Sequence, residues 1–233
     1  MLVLVLDSST PAVTAALAEI TADAVVPRVE RSRVDARAHG ELLAPQVAEV
    51  LAEVGIRPAA LAAVVAGVGP GPFTGLRVGL VTAASMGQVL GIPTYAVGSL
   101  DALGHAATRP GPDAAPEAGP VLVATDARRR EVYWAVYDPA GGRLVGPAVD
   151  VPAVVAERAR EQGVRVAVGE GARRYADVLG LPLRGGLDHP PAYALAELAA
   201  ERIRAGAPGD RLTPLYLRRP DAVAATGRKP VLR

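Results

Sequence analysis

Two short polar turns carry the residues best suited to chemistry. Asp7-Ser8-Ser9-Thr10 ends one continuous apolar run and Asp126-Ala127-Arg128 ends another. In a duplicated nucleotide-binding fold, turns of this kind face each other across a cleft and hold phosphates through backbone amides and hydroxyls. Gly169 and Gly171, after a third apolar run, would complete the outline. The same residues also make good turns for a purely local reason, because Asp, Ser and Thr hydrogen-bond their own backbone. Pro11 and Ala127 stand where such turns often use glycine. The expectation is therefore a vestigial nucleotide cleft at Asp7, Ser8, Ser9, Thr10, Asp126, Gly169 and Gly171.

The string Gly67-Val-Gly-Pro-Gly-Pro-Phe-Thr-Gly-Leu-Arg-Val-Gly79 joins a strand to a helix, where free amides collect. It lacks the Gly-Lys-Ser/Thr ending of a P-loop, and the sole lysine of the chain is Lys229. In the helix that follows, Gly79, Ala83 and Gly87 recur every fourth residue and leave one flat side. A flat side admits a second helix at close range, either from a partner or from this protein's own core. Leu43, Val47, Val50, Leu51 and Val54 form an apolar stripe on an earlier helix. An interface from these two helices would use that stripe together with Leu76, Gly79, Leu80, Ala83 and Gly87.

No catalytic residue and no metal site is expected. His39, His105 and His189 have no partner at ligand spacing and read as surface or turn residues. The absence of cysteine removes thiolate zinc sites and thiol nucleophiles. Neither a Gly-x-Ser-x-Gly elbow nor a His-Glu-x-x-His helix is present. The clusters Arg128 to Arg130, Arg173-Arg174, Arg218-Arg219 and Arg228-Lys229 read by default as solvated charge.

The elements that must position these residues fall into two similar halves. Leu2 to Leu6, Ala12 to Ile20 and Arg28 to Val34 read as strands, the last an edge. The striped helix follows, with Pro45 in its first turn, or kinking it if it starts near His39, and Gly55 closing it. Strand Leu61 to Gly67, helix Leu76 to Leu90 and strand Ile92 to Val97 come next, and Ser99 could cap the helix beginning at Leu100. A Pro- and Gly-rich stretch between Ala107 and Pro120 marks the passage to the second half. There, strand Val121 to Thr125, a polar turn and strand Glu131 to Tyr137 repeat the opening pattern. Helices at 154–161, 172–179 and 193–205 and a strand at 165–168 complete it. This is a duplicated α/β unit, with lobes at 1–103 and 104–206 and a C-terminal segment, 207–233, returning to the first.

Composition narrows the function further. Half of the 233 residues are hydrophobic, enough for a substantial core. The apolar run after Met1 meets Asp7 too soon for a leader or a membrane span, so a cytoplasmic protein without membrane contact is expected. A net charge of +1 and 3% aromatic residues argue against a free-standing nucleic-acid-binding module.

Four segments in order, Leu6-Asp-Ser-Ser-Thr10, Gly69 to Gly79, Asp126-Ala-Arg128 with Glu131-Val-Tyr133, and Pro214-Leu-Tyr-Leu-Arg218, together resemble the TsaB (YeaZ) family. The glycine-rich string is the most specific of them. The resemblance implies an actin-like, sugar-kinase-like (ASKHA) duplicated two-lobe fold. It further implies a non-catalytic subunit, without cofactor, for threonylcarbamoylation of the tRNA adenosine next to the anticodon. Its implied partners are a TsaD-like catalytic subunit and a TsaE-like ATPase, with a homodimer as another use of the first-lobe helices and tRNA met only through the complex. TsaD-like proteins carry two metal-binding histidines where Ser99 and Leu103 stand here, and leucine cannot ligate a metal. An ATP-binding kinase or ATPase of the same fold, and a glycoprotease-like peptidase, are the alternatives.

Overall fold

The computed structural model describes residues 1–109 and 119–218. Most of the Pro- and Gly-rich stretch expected between the lobes, together with Arg219 and Arg228-Lys229, lies outside the described residues. Strands β1 (Leu2–Asp7), β2 (Ala12–Ile20) and β3 (Val25–Val34) form an antiparallel meander. Helix α1 (His39–Val54) leads to β4 (Ala63–Gly67), parallel to β1, and α2 (Phe73–Leu90) leads to β5 (Thr94–Val97), parallel to β4. The resulting order is β3-β2-β1-β4-β5.

Helix α3 (Ser99–Thr108) passes to the second half, where β6 (Val121–Asp126), β7 (Val132–Tyr137) and β8 (Arg143–Asp150) repeat the meander. Then come α4 (Pro152–Glu161), β9 (Val166–Val168) beside β6, α5 (Glu170–Arg174), α6 (Ala176–Leu179) and α7 (Ala192–Arg204). The second sheet runs β8-β7-β6-β9, and a single parallel bridge from Ala167 to Leu183 stands where a fifth strand would lie. The two halves thus share a four-strand plan.

Helices cover both faces of the first sheet, which is why β1 and β4 read as unbroken apolar runs rather than alternating ones. Leu4 and Leu6 meet α1 and α2, whereas Val3 and Val5 meet α3 and α7. Helix α3 is shared, because Ala102 and Ala106 face the first sheet while Leu100, Leu103 and Ala107 face the second. The 103/104 division accordingly falls inside α3. Helix α7 belongs to the 104–206 span by sequence, yet its Ala194, Leu195, Ala199 and Ile203 pack on the first sheet. Residues 207–218 form a strap along β5: Asp210 N–H donates to the Thr94 carbonyl (2.6 Å) and Leu215 N–H to that of Val68 (2.8 Å).

Several local expectations change for physical reasons. Strand β8 was not expected; its Gly146-Pro147 pair, which would weaken a regular strand, is accommodated by register shifts opposite Trp134 to Tyr137. Pro45 lies inside α1 on its exposed side, where water can meet the carbonyl of Glu41 that a proline cannot bond. Ser99 is no cap: Gly98 holds the N-cap position and the serine hydroxyl points elsewhere. Among the described residues no helix is long and apolar enough to cross a membrane.

The expected interface residues also need correction. Leu43, Val47, Val50, Leu51, Leu76, Leu80 and Ala83 are all buried against this chain's own sheet, with Val54 packed at the edge of the same cluster. A Cβ at Gly79 would lie 2.4 Å from Ser8 Oγ, and one at Gly87 2.6 Å from Thr94 Cγ2. The apolar stripe and the flat side both serve the core. Burying each large aliphatic side chain there stabilises the fold by roughly 1.5–3 kcal/mol, a demand met before any partner arrives.

Candidate functional site

The turn after β1 is a buried polar node. Asp7 Oδ1 accepts from the Ser9 amide (2.9 Å) and hydroxyl (2.8 Å), and Oδ2 accepts from the Ser99 hydroxyl (2.6 Å). Ser99 Oγ in turn accepts from Gly69 N–H (3.1 Å), so the node reaches the glycine-rich string. Burial pushes the Asp7 carboxyl up, against the downward pull of the Ser99 and Ser9 hydrogen bonds. Ser8 Oγ donates to the Gly75 carbonyl (2.8 Å) and accepts from Gly79 N–H (2.9 Å), two groups that bond to each other in a regular helix. Thr10 offers its carbonyl to Nε2 of His39 (2.9 Å), which makes this histidine a buried structural residue rather than the expected surface one.

The glycine-rich string exists to let this turn approach. A Cβ at Gly71 would stand 2.2 Å from the Ser9 carbonyl oxygen, and one at Gly67 1.7 Å from Asp7 Oδ2. Asp7, Ser8, Ser9 and Thr10 are therefore engaged with the protein's own backbone and side chains. Of the expected cleft residues, only Ser8 and Thr10 reach a cavity shared with the other turn, a space of about 230 Å³ that Arg128 and Phe73 also line.

The turn after β6 is built differently. Arg128, Arg129 and Arg130 all have positive φ (63°, 54° and 62°), three consecutive non-glycine residues in the left-handed region. Each such residue costs about 1–2 kcal/mol. The turn is closed by Ala127 N–H to the Glu131 carbonyl (2.9 Å) and Glu131 N–H to that of Arg128 (3.0 Å). Asp126 is buried and salt-bridged to Arg174 (3.2 Å) and Arg128 (3.9 Å). Its own amide donates to Glu170 Oε1 (2.9 Å), and burial pushes the Glu170 carboxyl up to about 7. Gly169 and Gly171 seat α5 closely on β6, since a Cβ would lie 2.1 Å from the Ala124 carbonyl oxygen and 2.6 Å from Thr125 C.

Between the lobes lies a cavity of about 410 Å³. Gly71, Pro72 and Phe73 line it from the first lobe, Ala127, Arg128, Arg129 and Tyr133 from the second, and Tyr216 to Arg218 from the strap. Phe73 and Tyr216 stack with ring centroids 5.1 Å apart, and the Arg77 guanidinium sits 3.6 Å from the Phe73 centroid while its Nε donates to the Tyr216 hydroxyl (2.8 Å). Arg218 pairs with Glu131 and donates to the Ala127 carbonyl (3.0 Å). The strap thus touches both lobes. The one phenylalanine of the chain, beside a glycine run, was the available signal for this site, and sequence reasoning did not use it. Among the described residues, no three His, Cys, Asp or Glu side chains gather to hold a metal.

Two sheets of matching plan, with paired hairpin turns facing a cleft, define an actin-like protein of the ASKHA class. A family model described as TsaD, tRNA N6-adenosine threonylcarbamoyltransferase, matches residues 24–202. The structure of YeaZ from Pseudomonas aeruginosa superposes with a TM-score of 0.73 at 29% identity, covering 93% of this chain and 99% of that one. An uncharacterized protein of Mycobacterium tuberculosis is 46% identical over 220 residues, 94% of this chain and 93% of the relative. The tRNA threonylcarbamoyladenosine biosynthesis protein TsaB of Escherichia coli is 32% identical over 193 residues, 78% of this chain and 81% of that protein. The chain belongs to the TsaB family.

Proposed function

We propose that this chain is the non-catalytic partner subunit in threonylcarbamoylation of tRNA, assembling with a TsaD-like catalytic subunit and a TsaE-like ATPase. One observation supports it above others. The two positions that the family resemblance aligns with catalytic metal ligands are both part of the interior: Ser99 is bonded to Asp7, and Leu103 is fully buried between the sheets. A site assembled that way holds structure together and leaves no open coordination position. Engagement of Ser8 with the glycine string, of Ser9 with Asp7 and of Thr10 with His39 likewise speaks against an ATPase that grips phosphates at the first turn.

Assembly needs a surface, and the outward sides of α1 and α2 offer one. Val81 and Val89 are 63% and 83% exposed on α2, with Ala84 and Ser85 between them, and Ala44, Ala48 and Ala52 are exposed on α1. Small and apolar residues on two neighbouring helices suit a helix pair from another subunit, either the TsaD-like protein or a second copy. The test is co-elution of the chain with the TsaD-like protein of the same organism, comparing wild type, Val81→Arg and Ala48→Arg. The wild type should co-elute and both variants should remain folded but separate. A wild type that elutes apart from that partner sinks the reading.

A further inference from the structure

The two lobes are joined at two places of opposite character. The first is a dry pin at α3. The ring of Tyr137, 1% exposed at the end of β7, lies so close to this helix that a Cβ at Gly104 would stand 2.5 Å from Tyr137 Cγ. The Tyr137 hydroxyl donates to the Asp101 carboxylate on α3 (2.8 Å), and Arg143 on β8 donates to the same carboxylate (2.9 Å). Around that ring Leu100, Leu103 and Ala107 are buried with Val121, Val123 and Ala135. Close-packed apolar groups of this kind yield very little.

The second joint is the tip of the strap. Most of the strap is fixed to the first lobe: the Tyr95 hydroxyl donates to the Ala207 carbonyl (2.7 Å), and the Asp210 carboxylate accepts from the Ala96 amide (2.9 Å) and from Arg202 (2.5 Å). Tyr216 is its last hold there, against Phe73 and Arg77. Leu217 and Arg218 then cross over. Leu217 packs beside the apolar cluster of β6, β7 and β9, and Arg218 pairs with Glu131 and donates to the Ala127 carbonyl (3.0 Å). This grip is partly wet, since the Arg218 and Glu131 side chains are 24% and 32% exposed, and an ion pair of that kind is weak alone. It is effective here because the strap is already anchored next to its target, which raises the effective concentration of the tip.

Glu131 and Tyr137 stand at opposite ends of β7, so strap and pin grip the second lobe about 20 Å apart. Either joint alone would leave the lobes free to rotate about it; the two together do not. We propose that the strap is a latch that locks the lobes at one spacing with nothing bound between them, its tip supplying the second point of attachment that the pin lacks. The width of the 410 Å³ cavity, which Tyr216 to Arg218 line, is then set by the chain's own strap. This inference concerns the chain alone and stands or falls independently of the assembly reading.

The lock is read by double electron–electron resonance on the full chain. The protein has no cysteine, so spin labels attach only where cysteines are introduced. One pair, Arg37→Cys with Asp177→Cys, puts exposed labels on the two lobes, and a control pair, Arg37→Cys with Arg57→Cys, puts both on the first. Each pair is measured with the strap intact and in Leu217→Ala/Arg218→Ala, which removes the tip's contacts and keeps the anchored part. With the strap intact, one narrow distance between the lobes is expected. In the strap variant that distance should spread over about 5 Å, the travel that a rotation of about 15° gives an arm of about 20 Å, while the control pair stays narrow. A broad distance between the lobes with the strap intact overturns the proposal, as does a narrow one in the strap variant. Equal broadening of the control pair overturns it too, because the tip would then be holding the first lobe together rather than locking the second to it.

Discussion

Gly79→Ala tests whether the glycine-rich helix serves the core. An added Cβ would lie 2.4 Å from Ser8 Oγ, a separation that real Cβ atoms do not show. Ser8 must then swing away and lose its bonds to the Gly75 carbonyl and Gly79 amide. Ser8 is 1% exposed, so both bonds are lost in the interior. Leaving the hydroxyl unsatisfied costs about 1–3 kcal/mol, and the overpacking costs about 1–3 more. Alanine's better helix propensity returns about 1 kcal/mol, so a net loss of about 1–5 kcal/mol is expected. Ser8→Ala alone should cost about 1 kcal/mol, because Gly75 and Gly79 can then bond to each other. In the double variant the nearest contact becomes Ser8 Cβ at 3.4 Å, an ordinary one. Urea unfolding followed by Trp134 fluorescence measures the cycle. The double variant should be more stable than Gly79→Ala by at least about 1 kcal/mol. Simple additivity of the two losses, or a Gly79→Ala midpoint equal to wild type, would refute the packing account.

Other perturbations probe the rest of the site. Glu170 has a folded pKa raised to about 7, so the folded state binds its proton more tightly than the unfolded one. Its contribution to stability is present below its ordinary pKa of about 4.5 and is lost as pH rises to about 7, and Glu170→Gln should flatten that part of a melting-temperature profile. Gly71→Ala should lower the melting temperature, since its Cβ would meet the Ser9 backbone 2.2 Å away and no side chain can yield; an unchanged melt would show that the turn after β1 shifts freely. Tyr216→Ala removes the ring stack and the Arg77 hydrogen bond that fasten the strap. Hydrogen exchange at the Leu215 amide should then accelerate while that at Val65, deep in β4, stays as in the wild type.

Strands β1, β2, β4, β6 and β7 were legible because buried strands write themselves as apolar runs between polar turns. Helix α1 was legible from its apolar stripe, and α2 from its place between the glycine-rich string and Gly91. What a stripe cannot say is which body covers it. The residues at Gly79, Ala83 and Gly87 have the spacing of a contact between subunits, and they make the contact between α2 and the chain's own β1 turn and β5. Exposed Val81 and Val89 lie on the same helix but break no pattern, so periodicity passed over them. The Asp7–Ser99 bond spans 92 residues, and nothing local announces it. Strand β8 failed for the opposite reason: its Gly146-Pro147 pair would weaken a regular strand, and tertiary pairing overrides that.

The duplication itself explains why the two expected turns have different fates. Both begin as an Asp at the end of a central strand, with Asp7 opposite Thr14 and Asp126 opposite Val132 across a hairpin. In the first lobe, glycines 67, 71 and 79 bring neighbouring groups within reach of the turn, and the Ser8 hydroxyl bonds to the helix backbone there. Of its residues, Ser8 and Thr10 line the smaller cavity that Arg128 shares. In the second lobe, Glu170 and Arg174 support Asp126 from α5, but residues 128–130 remain exposed, held in a conformation that side chains disfavour. Of the two turns, the second is therefore the one left open at the larger cavity between the lobes, where the strap closes on it through Arg218.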